Sequence, residues 1–169
     1  MTTSTQPTLK FLFTHPAHFL ALGCGSGLSP IVPGTAGTAW GWATFLILQQ
    51  WLGFNPVYWS ALIAVSLLVG WWACTVTAQH MQVADPGSVV WDEIVAFWLV
   101  LWLIGPTDFA GQLAAFVLFR LFDIIKPGPI GWADKAFKGL NARGGFGILF
   151  DDILAALATV LVMVLWRML

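Results

Sequence analysis

The chain has 169 residues, of which 59% are hydrophobic and only 9% are charged, and its formal net charge is −1. A soluble domain carries about 25% charged residues, so this composition excludes an ordinary soluble protein and favours a membrane protein. The small net charge and the lack of a basic run give no indication of nucleic-acid binding. Cys24 and Cys74 show no CxxC spacing, so neither a disulfide framework nor a zinc site is predicted. The length fits one domain, residues 1–169.

The chain begins with a polar segment, residues 1–8, which we expect to be disordered. Phe11–Leu22 is predicted to form a short helix at the membrane interface, with Pro16 where the first turn of a helix tolerates proline. Lys10 and the apolar residues after it loosely resemble a secretory signal. The apolar stretch is interrupted by histidines and a proline, and no clean small-x-small site follows it, so we expect no cleavage.

The next stretch, Gly23–Thr38, contains five glycines, two prolines and four hydroxyl side chains. This composition does not suit a membrane helix, and irregular backbone at membrane depth is tolerated only where it is buried in protein or lines a polar cavity. We therefore interpret it as a loop that binds an anion such as phosphate through its N–H groups and the hydroxyls of Ser26, Ser29 and Thr35. A plain turn between two helices is the alternative. No Gly-Lys-Ser/Thr follows, so a Walker loop is disfavoured.

Long apolar segments separated by turns predict an all-α fold: a membrane-embedded bundle of about five long helices plus the short interfacial helix. The predicted long helices cover about residues 38–53, 57–79, 86–104, 109–125 and 148–167. Asp85 and Asp108 are predicted to be N-caps, and a short surface helix is expected over residues 130–138. The third and fourth long segments have short uncharged cores, whereas a spanning helix needs about 20 apolar residues. A compact bundle set partly into one leaflet is therefore an alternative to full crossings.

Antiparallel crossings would place three polar connections on the same side of the membrane. These are Gly23–Thr38, His80–Glu93 and Lys126–Asp152. The third connection is rich in lysine and arginine, and the positive-inside rule makes that side cytoplasmic. Arg167 is the exception, and its long side chain is expected to reach the opposite headgroups.

The charged residues are unevenly distributed, with none between Phe11 and Ala84 and more than half of them between Phe119 and Asp152. Ionised groups are costly next to apolar membrane segments, which favours a functional role for those that occur there. Five acids fit this description: Asp92, Glu93, Asp123, Asp151 and Asp152. Oxygen ligands without a metal-binding histidine pattern favour Mg²⁺ over zinc or iron. Structural ion pairs of these acids with Arg120 and Lys126 are the alternative interpretation.

Arg120 and Asp123 are three residues apart and share a helix face, with Lys126 about one turn further on. The planar fork of Arg120 suits a phosphate, and Lys126 offers a second positive charge. Asp123 would orient them or hold a metal ion.

Four blocks of sequence resemble the phosphatidylglycerophosphatase A family. They are Gly25–Pro30 with Pro33-Gly34-Thr35, Trp91-Asp92-Glu93, Phe119–Ile130 with its Arg120, Asp123 and Lys126-Pro127, and Gly145-Phe146-Gly147 with Asp151-Asp152. The likeness covers roughly residues 18–156, with Lys135–Arg143 and His80 as departures outside the motifs. The resemblance implies an all-helical, magnesium-dependent phosphatase of bacterial inner membranes. It would convert phosphatidylglycerophosphate to phosphatidylglycerol and phosphate in glycerophospholipid biosynthesis.

On this basis we expect the lipid to present its terminal phosphate to a multi-pass protein at the cytoplasmic face. The candidate catalytic residues are Asp92, Glu93, Asp123, Arg120 and Lys126. The candidate phosphate-binding residues are Ser26, Ser29, Thr35, Arg120 and Lys126. The candidate ligands of one or two Mg²⁺ are Glu93, Asp123, Asp151 and Asp152, with help from Asp92. The pattern leaves open whether water or an aspartate attacks first, and it does not indicate an oligomeric state.

Three other functions compete with this interpretation. A small membrane transporter or channel would also use an acidic ion site at the cytoplasmic face, although its acids should be spread through the bilayer. A CDP-alcohol phosphotransferase also combines membrane helices, acids and magnesium, but its two aspartates lie four residues apart, whereas Asp151 and Asp152 are adjacent. A purely structural membrane subunit is the third.

Overall fold

A computed structural model describes residues 6–169, and every regular element within that range is a helix. The all-α prediction is therefore confirmed. The elements are α1 (Leu9–Leu12), α2 (Pro16–Ala21), a 3-10 segment (Gly23–Leu28), α3 (Pro33–Leu52), α4 (Pro56–Met81), α5 (Trp91–Ile104), α6 (Phe109–Ile125), α7 (Pro129–Ala136) and α8 (Ala142–Met168). Most of the predicted polar lead, residues 1–5, lies outside the described residues. Thr8 caps α1 by accepting a hydrogen bond from the backbone N–H of Phe11 at 3.2 Å.

The helix predicted over residues 11–22 is instead two short helices with a break between them. Pro16 occupies the first position of α2, as expected, and the Nδ1 atom of His15 caps this helix by accepting from the N–H of Ala17 at 3.1 Å. The residue before a proline is pushed out of the helical conformation, which explains why the chain cannot continue as one helix through His15.

Local signals predict some helix boundaries well and others poorly. The bounds of α6 are as predicted, and Asp108 caps it by accepting from the N–H of Gly111 at 2.9 Å. The prediction that Asp85 caps the next helix is wrong, because α5 begins at Trp91. The N–H of Val90 donates to the carbonyl of Ala21 at 2.8 Å, so this segment is held by α2 instead of joining the helix.

The helices α3 and α8 both begin earlier than predicted and include glycine-rich sequence. Gly37 and Gly41 lie in α3, and a Cβ atom on them would come within 2.5 Å of Val90 Cβ and 3.0 Å of the Ile94 Cα, respectively. In α8 a Cβ on Gly145 would come within 1.9 Å of Thr75 Oγ1. Small residues let helices approach closely, so helix packing overrides the low helix propensity of glycine.

The helices alternate direction, which places three connections at one end of the bundle. Residues 23–32, 82–90 and 126–141 meet there, whereas the turns at residues 53–55 and 105–108 lie at the other end. Contacts at this end hold them together: the amide of Gln79, near the end of α4, donates to the carbonyl of Leu140 at 2.9 Å, and the backbone of Gly27 packs against the carbonyl of Ser88. We call this end of the bundle the polar end.

The centre of the bundle is α5, whose buried residues occupy all of its sides. Nine of its 14 residues are buried, and Phe97 packs at ring-centroid distances of 5.6 Å from Phe116 and 5.8 Å from Phe119 on α6. A helix that is hydrophobic all round belongs in a core. Because α5 is fixed on all sides, the acidic residues in its first turn have well-defined positions.

Two helices, α4 with 26 residues and α8 with 27, are long and apolar enough to cross a membrane. Less than half of the most apolar window of each is buried in the bundle, so both present apolar surface outward. At 14 residues α5 is only about 21 Å long, shorter than a hydrocarbon core of about 30 Å. The two candidate membrane-spanning helices support a membrane protein. That five helices cross the membrane stays a prediction.

Candidate active site

The candidate catalytic and metal-binding side chains come mainly from three helices that meet at the polar end. Asp92 and Glu93 lie in the first turn of α5, and Arg120 and Asp123 in the last turns of α6. Asp151 and Asp152 lie well inside α8, since this helix begins at Ala142. The fold therefore brings together acids that are far apart in the sequence, at the end of the bundle where the predicted loops converge.

Three of these acids form a carboxylate cluster, which consists of Asp92, Glu93 and Asp152. One oxygen from each lies within 4.8 Å of the others. Glu93 is 8% exposed and Asp152 only 3%. Each of the three also has a buried oxygen that lacks a hydrogen-bond partner among residues 6–169, namely Asp92 Oδ1, Glu93 Oε2 and Asp152 Oδ2. Buried carboxylates are costly without a compensating partner.

This carboxylate cluster fits a hard divalent cation. It offers oxygen ligands alone, as Mg²⁺ prefers, and it has more buried negative charge than the neighbouring cation neutralises. Its composition differs from the ligand set predicted from the sequence, because Asp92 is a full member, whereas Asp123 and Asp151 pair with positively charged side chains. Whether those two also reach a metal ion stays a prediction.

The guanidinium of Arg120 is held from one side. Its Nη1 atom lies 2.6 Å from Asp123 Oδ2, 3.4 Å from Glu93 Oε1 and 3.4 Å from Thr38 Oγ1. The Nε atom is buried without a hydrogen-bond partner in the part of the chain that the structure describes. The hydrogen bonds of Arg120 thus use one nitrogen, and the edge formed by Nε and Nη2 is left for a ligand. Two adjacent N–H groups of this kind can bind two phosphate oxygens in a bidentate manner.

Lys126 follows the last residue of α6 in a left-handed backbone conformation, with φ of 48°. Its ammonium contacts Asp134 Oδ1 at 2.8 Å and also pairs closely with Asp151 Oδ2. Burial lowers the pKa of Lys126, but the two carboxylates outweigh this effect and raise it above its usual value, so the side chain stays charged. Asp134, which also pairs with Lys138 at 3.2 Å, is therefore part of an ion-pair network.

The orientation of Asp151 follows from its place in α8. Consecutive residues of an α-helix point about 100° apart, so Asp151 and Asp152 face different neighbours. Asp152 joins the carboxylate cluster, whereas Asp151 faces the linker and α7. The adjacent aspartates consequently have different partners.

The glycine-rich segment lies at the polar end, but its serines are already engaged. The hydroxyl of Ser26 donates to the carbonyl of Gly23 at 2.9 Å, and that of Ser29 to the carbonyl of Ile31 at 2.8 Å. Thr35 is the third residue of α3. Their predicted role in phosphate binding stays a prediction, and the N-terminus of α3 is the part of this segment whose contact with the site is clear.

That contact is made by Gly34, the second residue of α3. A Cβ atom at this position would lie 2.2 Å from Glu93 Oε1 and 2.9 Å from Arg120 Nη2. The Gly34→Ala variant is therefore expected to displace both side chains and to lower activity by about 10-fold to 100-fold, because misplacing a catalytic group by about 1 Å has effects of this size.

The matched control for this substitution is Gly87→Ala. Gly87 lies in the same end of the bundle, its φ is not positive, and a Cβ there would have open space. Steady-state rates of phosphate release and thermal unfolding of both variants test the prediction. Equal activities of the two variants would show that Gly34 does not maintain the site.

Two residues of this region were not recognised from the sequence. Thr38 is fully buried, and its hydroxyl donates to the carbonyl of Gly34 at 2.9 Å in addition to its contact with Arg120. Its place in the hydroxyl-rich stretch was the available signal. Asp85 is not a helix cap and instead lines a cleft beside Lys126.

Comparisons with known proteins agree with the character of this site. The sequence model of the family described as Phosphatidylglycerophosphatase A matches residues 19–167. The chain is 40% identical over 151 residues to phosphatidylglycerophosphatase A of Escherichia coli (strain K12), covering 86% of this chain and 80% of that protein. It is 41% identical over 160 residues to phosphatidylglycerophosphatase A of Haemophilus influenzae, covering 95% and 94%.

A third relative has a different name. The chain is 36% identical over 140 residues to a putative phosphatidylinositol-3-phosphatase of Bacteroides thetaiotaomicron, covering 80% of this chain and 84% of that protein. No solved structure matches the chain.

Proposed function

The chain belongs to the phosphatidylglycerophosphatase A family, and we propose that it hydrolyses phosphatidylglycerophosphate to phosphatidylglycerol and phosphate with Mg²⁺ as its cofactor. Family membership makes it a phosphatase, a phosphoric monoester hydrolase. The names of the relatives share a chemical theme, since each describes a phosphate ester on the hydroxyl-bearing headgroup of a phospholipid.

One observation carries the proposal more than any other. Glu93 belongs to the carboxylate cluster, whose negative charge is only partly neutralised, and it also lies 3.4 Å from Arg120 Nη1. A carboxylate cluster that could hold a cation and an arginine with a free bidentate edge therefore share one buried location. A phosphate monoester suits both, because its terminal oxygens carry negative charge that must be neutralised in the bound state and in the transition state.

Asp92, Glu93 and Asp152 would hold the magnesium ion. When bound, Mg²⁺ supplies charge stabilisation to the phosphoryl oxygens and lowers the pKa of coordinated water. Each of these three side chains has a buried oxygen that needs a partner, which supports the assignment.

The remaining residues bind and orient the phosphate. Arg120 would hold two phosphate oxygens through Nε and Nη2, while Asp123 and Glu93 fix its orientation from the Nη1 side. Lys126 contributes a second positive charge at the end of α6. Preorganised charges in a buried site stabilise a developing negative charge without having to reorganise during the reaction.

We also propose that the protein spans a bacterial inner membrane several times and that the polar end faces the cytoplasm. The basic residues of the 126–141 linker support this orientation through the positive-inside rule. The substrate would keep its acyl chains in the bilayer while its headgroup enters at the polar end. The transporter, phosphotransferase and structural-subunit alternatives lose their support, because the family to which the chain belongs is one of phosphatases.

Removal of divalent cations tests the cofactor and the reaction together. We expect purified protein to release phosphate from phosphatidylglycerophosphate in Mg²⁺, to lose nearly all of this activity in excess EDTA and to regain it when Mg²⁺ is restored. Thermal unfolding in the two conditions provides a second readout, since a ligand that binds the folded state raises its stability. Full activity in EDTA would contradict the proposed cofactor, and no phosphate release in Mg²⁺ would contradict the proposed substrate.

A further inference from the structure

Three histidines lie together at the polar end and are not used by the proposed reaction. His15 caps α2, His18 lies within this helix, and His80 lies in the last turn of α4. The ring centroids of His18 and His80 are 5.0 Å apart, and that of His15 lies 5.4 Å from the first and 5.6 Å from the second. The cluster therefore joins the N-terminal part of the chain to the end of α4.

The hydrogen bonds of His18 determine which of its ring nitrogens carries the proton. His18 is 2% exposed, and its Nδ1 atom lies 3.0 Å from the carbonyl of Phe11 and 3.0 Å from the hydroxyl of Thr14. The carbonyl can only accept, and Thr14 already donates to that carbonyl at 2.7 Å, so Nδ1 carries the hydrogen. The Nε2 atom of the neutral ring is then an acceptor, to which His80 Nδ1 donates at 2.8 Å.

The pair formed by His18 and His80 tolerates one added proton but not two. With one, the hydrogen between the two rings can belong to either ring, so the bond persists. With two, an N–H of each ring points at the other and both rings are positively charged, so the bond is lost.

The direction of the pH effect follows from the surroundings of His18. Burial lowers its pKa from the ordinary value of 6.5, and charge on His80 or His15 lowers it further, which outweighs the opposing effect of the Phe11 carbonyl. Among the described residues, the titratable groups that face His18 are these two histidines, whereas Lys10 on α1 is exposed. Because the intact pair binds the second proton less readily than separated rings do, the bond is stable above about pH 6.5 and is lost as the pH falls below it.

The attachment of α2 to α4 depends strongly on this hydrogen bond. With six residues, α2 is too short to be stable without tertiary contacts. Its packing with α4 uses mainly small side chains, namely Ala17, Ala21, Ala73, Cys74 and Ala78. Such side chains bury little apolar area, so the polar contact contributes a large share of the attachment.

The helix α2 in turn holds the start of α5, which carries two acids of the site. The carbonyl of Ala21 accepts from the N–H of Val90 at 2.8 Å. Gly23 packs so closely that a Cβ on it would lie 2.8 Å from side-chain atoms of both Val90 and Ile94. Since Asp92 follows Val90 by two residues, a displacement of α2 would move the first turn of α5.

We propose that His18 and His80 are positioning residues for the candidate active site: their hydrogen bond clamps α2 onto α4, thereby fixes the first turn of α5, and opens when both rings are protonated. The clamp would set an acid limit on activity that is separate from the chemistry at the carboxylate cluster. Its effect on phosphate release rests on the proposed function, whereas the clamp itself does not.

The test compares two substitutions of His80, which is the exposed member of the pair. The amide of asparagine branches from the same carbon as histidine Nδ1, so His80→Asn can donate to neutral His18 or accept from charged His18. His80→Ala removes the partner. Lys10→Gln, which removes an exposed charge from α1, is the control.

At about pH 7.5 in Mg²⁺, we expect kcat/KM of His80→Asn within about threefold of the wild type and that of His80→Ala about 10-fold lower, because a buried acceptor loses its donor. On lowering the pH to about 5.5, the wild type and Lys10→Gln should lose up to about 10-fold more activity than His80→Asn, since a difference of one bound proton changes an equilibrium by up to tenfold per pH unit. Amide hydrogen exchange of α2 and Val90 at about pH 7.5 should be faster in His80→Ala alone, because its clamp opens more often.

The outcomes separate the clamp from the proposed function. If His80→Ala exchanges and hydrolyses like the wild type, the pair does not hold the site and the inference is wrong. It is also wrong if His80→Asn loses as much activity in acid as the wild type does, and this comparison decides the matter if His80→Ala does not fold. If none of the proteins hydrolyses the lipid, the proposed function fails, while unchanged hydrogen exchange in the variants would be needed to overturn the clamp.

Discussion

Replacing Asp152 with asparagine is expected to lower phosphatidylglycerophosphate hydrolysis by at least about 100-fold, an effect typical of losing one preorganised electrostatic contact. Asp152 is 3% exposed, and its Oδ2 atom has no hydrogen-bond partner within residues 6–169. Asparagine keeps the shape of the side chain and removes its charge, so the cavity is preserved while the cluster loses affinity for a divalent cation.

The same substitution should raise the stability of the metal-free protein, although it lowers the activity. Without Mg²⁺, the Asp152→Asn protein is expected to unfold at a higher temperature than the wild type, because one of three mutually repelling buried charges has gone. With Mg²⁺, the wild type should gain stability and the variant should gain little. Thermal unfolding with and without Mg²⁺, alongside phosphate release, measures both effects.

The matched control is Asp108→Asn. Asp108 lies at the opposite end of the bundle, where it caps α6, and asparagine is an equally good N-cap. This control should retain both activity and the response to Mg²⁺. If Asp152→Asn keeps its activity and is still stabilised by Mg²⁺, the carboxylate cluster is not the cation site.

The second large effect is expected for Arg120→Lys, which should lower kcat by about 100-fold to 1,000-fold. Lysine keeps the positive charge, so it can still neutralise Asp123 and Glu93. It lacks the planar pair of N–H groups that binds two phosphate oxygens at once. The loss should therefore appear in catalysis and in inhibition by inorganic phosphate, with little change in thermal stability.

Arg167→Lys provides the control for this prediction. Arg167 donates to the carbonyl of Ile104 at the end of the bundle far from the site, so the same chemical change there should leave kcat within about twofold to threefold, since surface substitutions outside such sites have small effects. An Arg120→Lys protein as active as this control would mean that the charge alone suffices and that bidentate phosphate binding plays no part.

The predictions for Asp152 and Arg120 have a common basis in the buried charged groups of the site. Buried charges without partners lower the stability of the folded chain, and a bound cation and phosphate would supply the missing interactions. Substitutions that remove function at such a site often raise stability. Variants of Asp92 and Asp152 should therefore separate activity from stability, whereas variants of acids that pair with a cation, such as Asp123, should lower both.

Several features of the molecule were determined by the sequence because the forces behind them are local. The bounds of α6 follow from Asp108 at one end and Lys126-Pro127 at the other, since a cap and a proline act within a few residues. The scarcity of charge made the acids of the polar end conspicuous, because an ionised group needs a reason to occur in so apolar a chain. The pairing of Arg120 with Asp123 follows from helix spacing alone.

Other features were decided only by the tertiary structure. Glycine signals a turn locally, yet Gly41 and Gly145 lie inside helices because a neighbouring helix occupies the space of a side chain. Asp151 and Asp152 look equivalent in the sequence, but the rotation of α8 gives one to Lys126 and the other to the carboxylate cluster. Spacing along a chain determines which residues share a helix face, whereas the rotation and depth of each packed helix determine what that face meets.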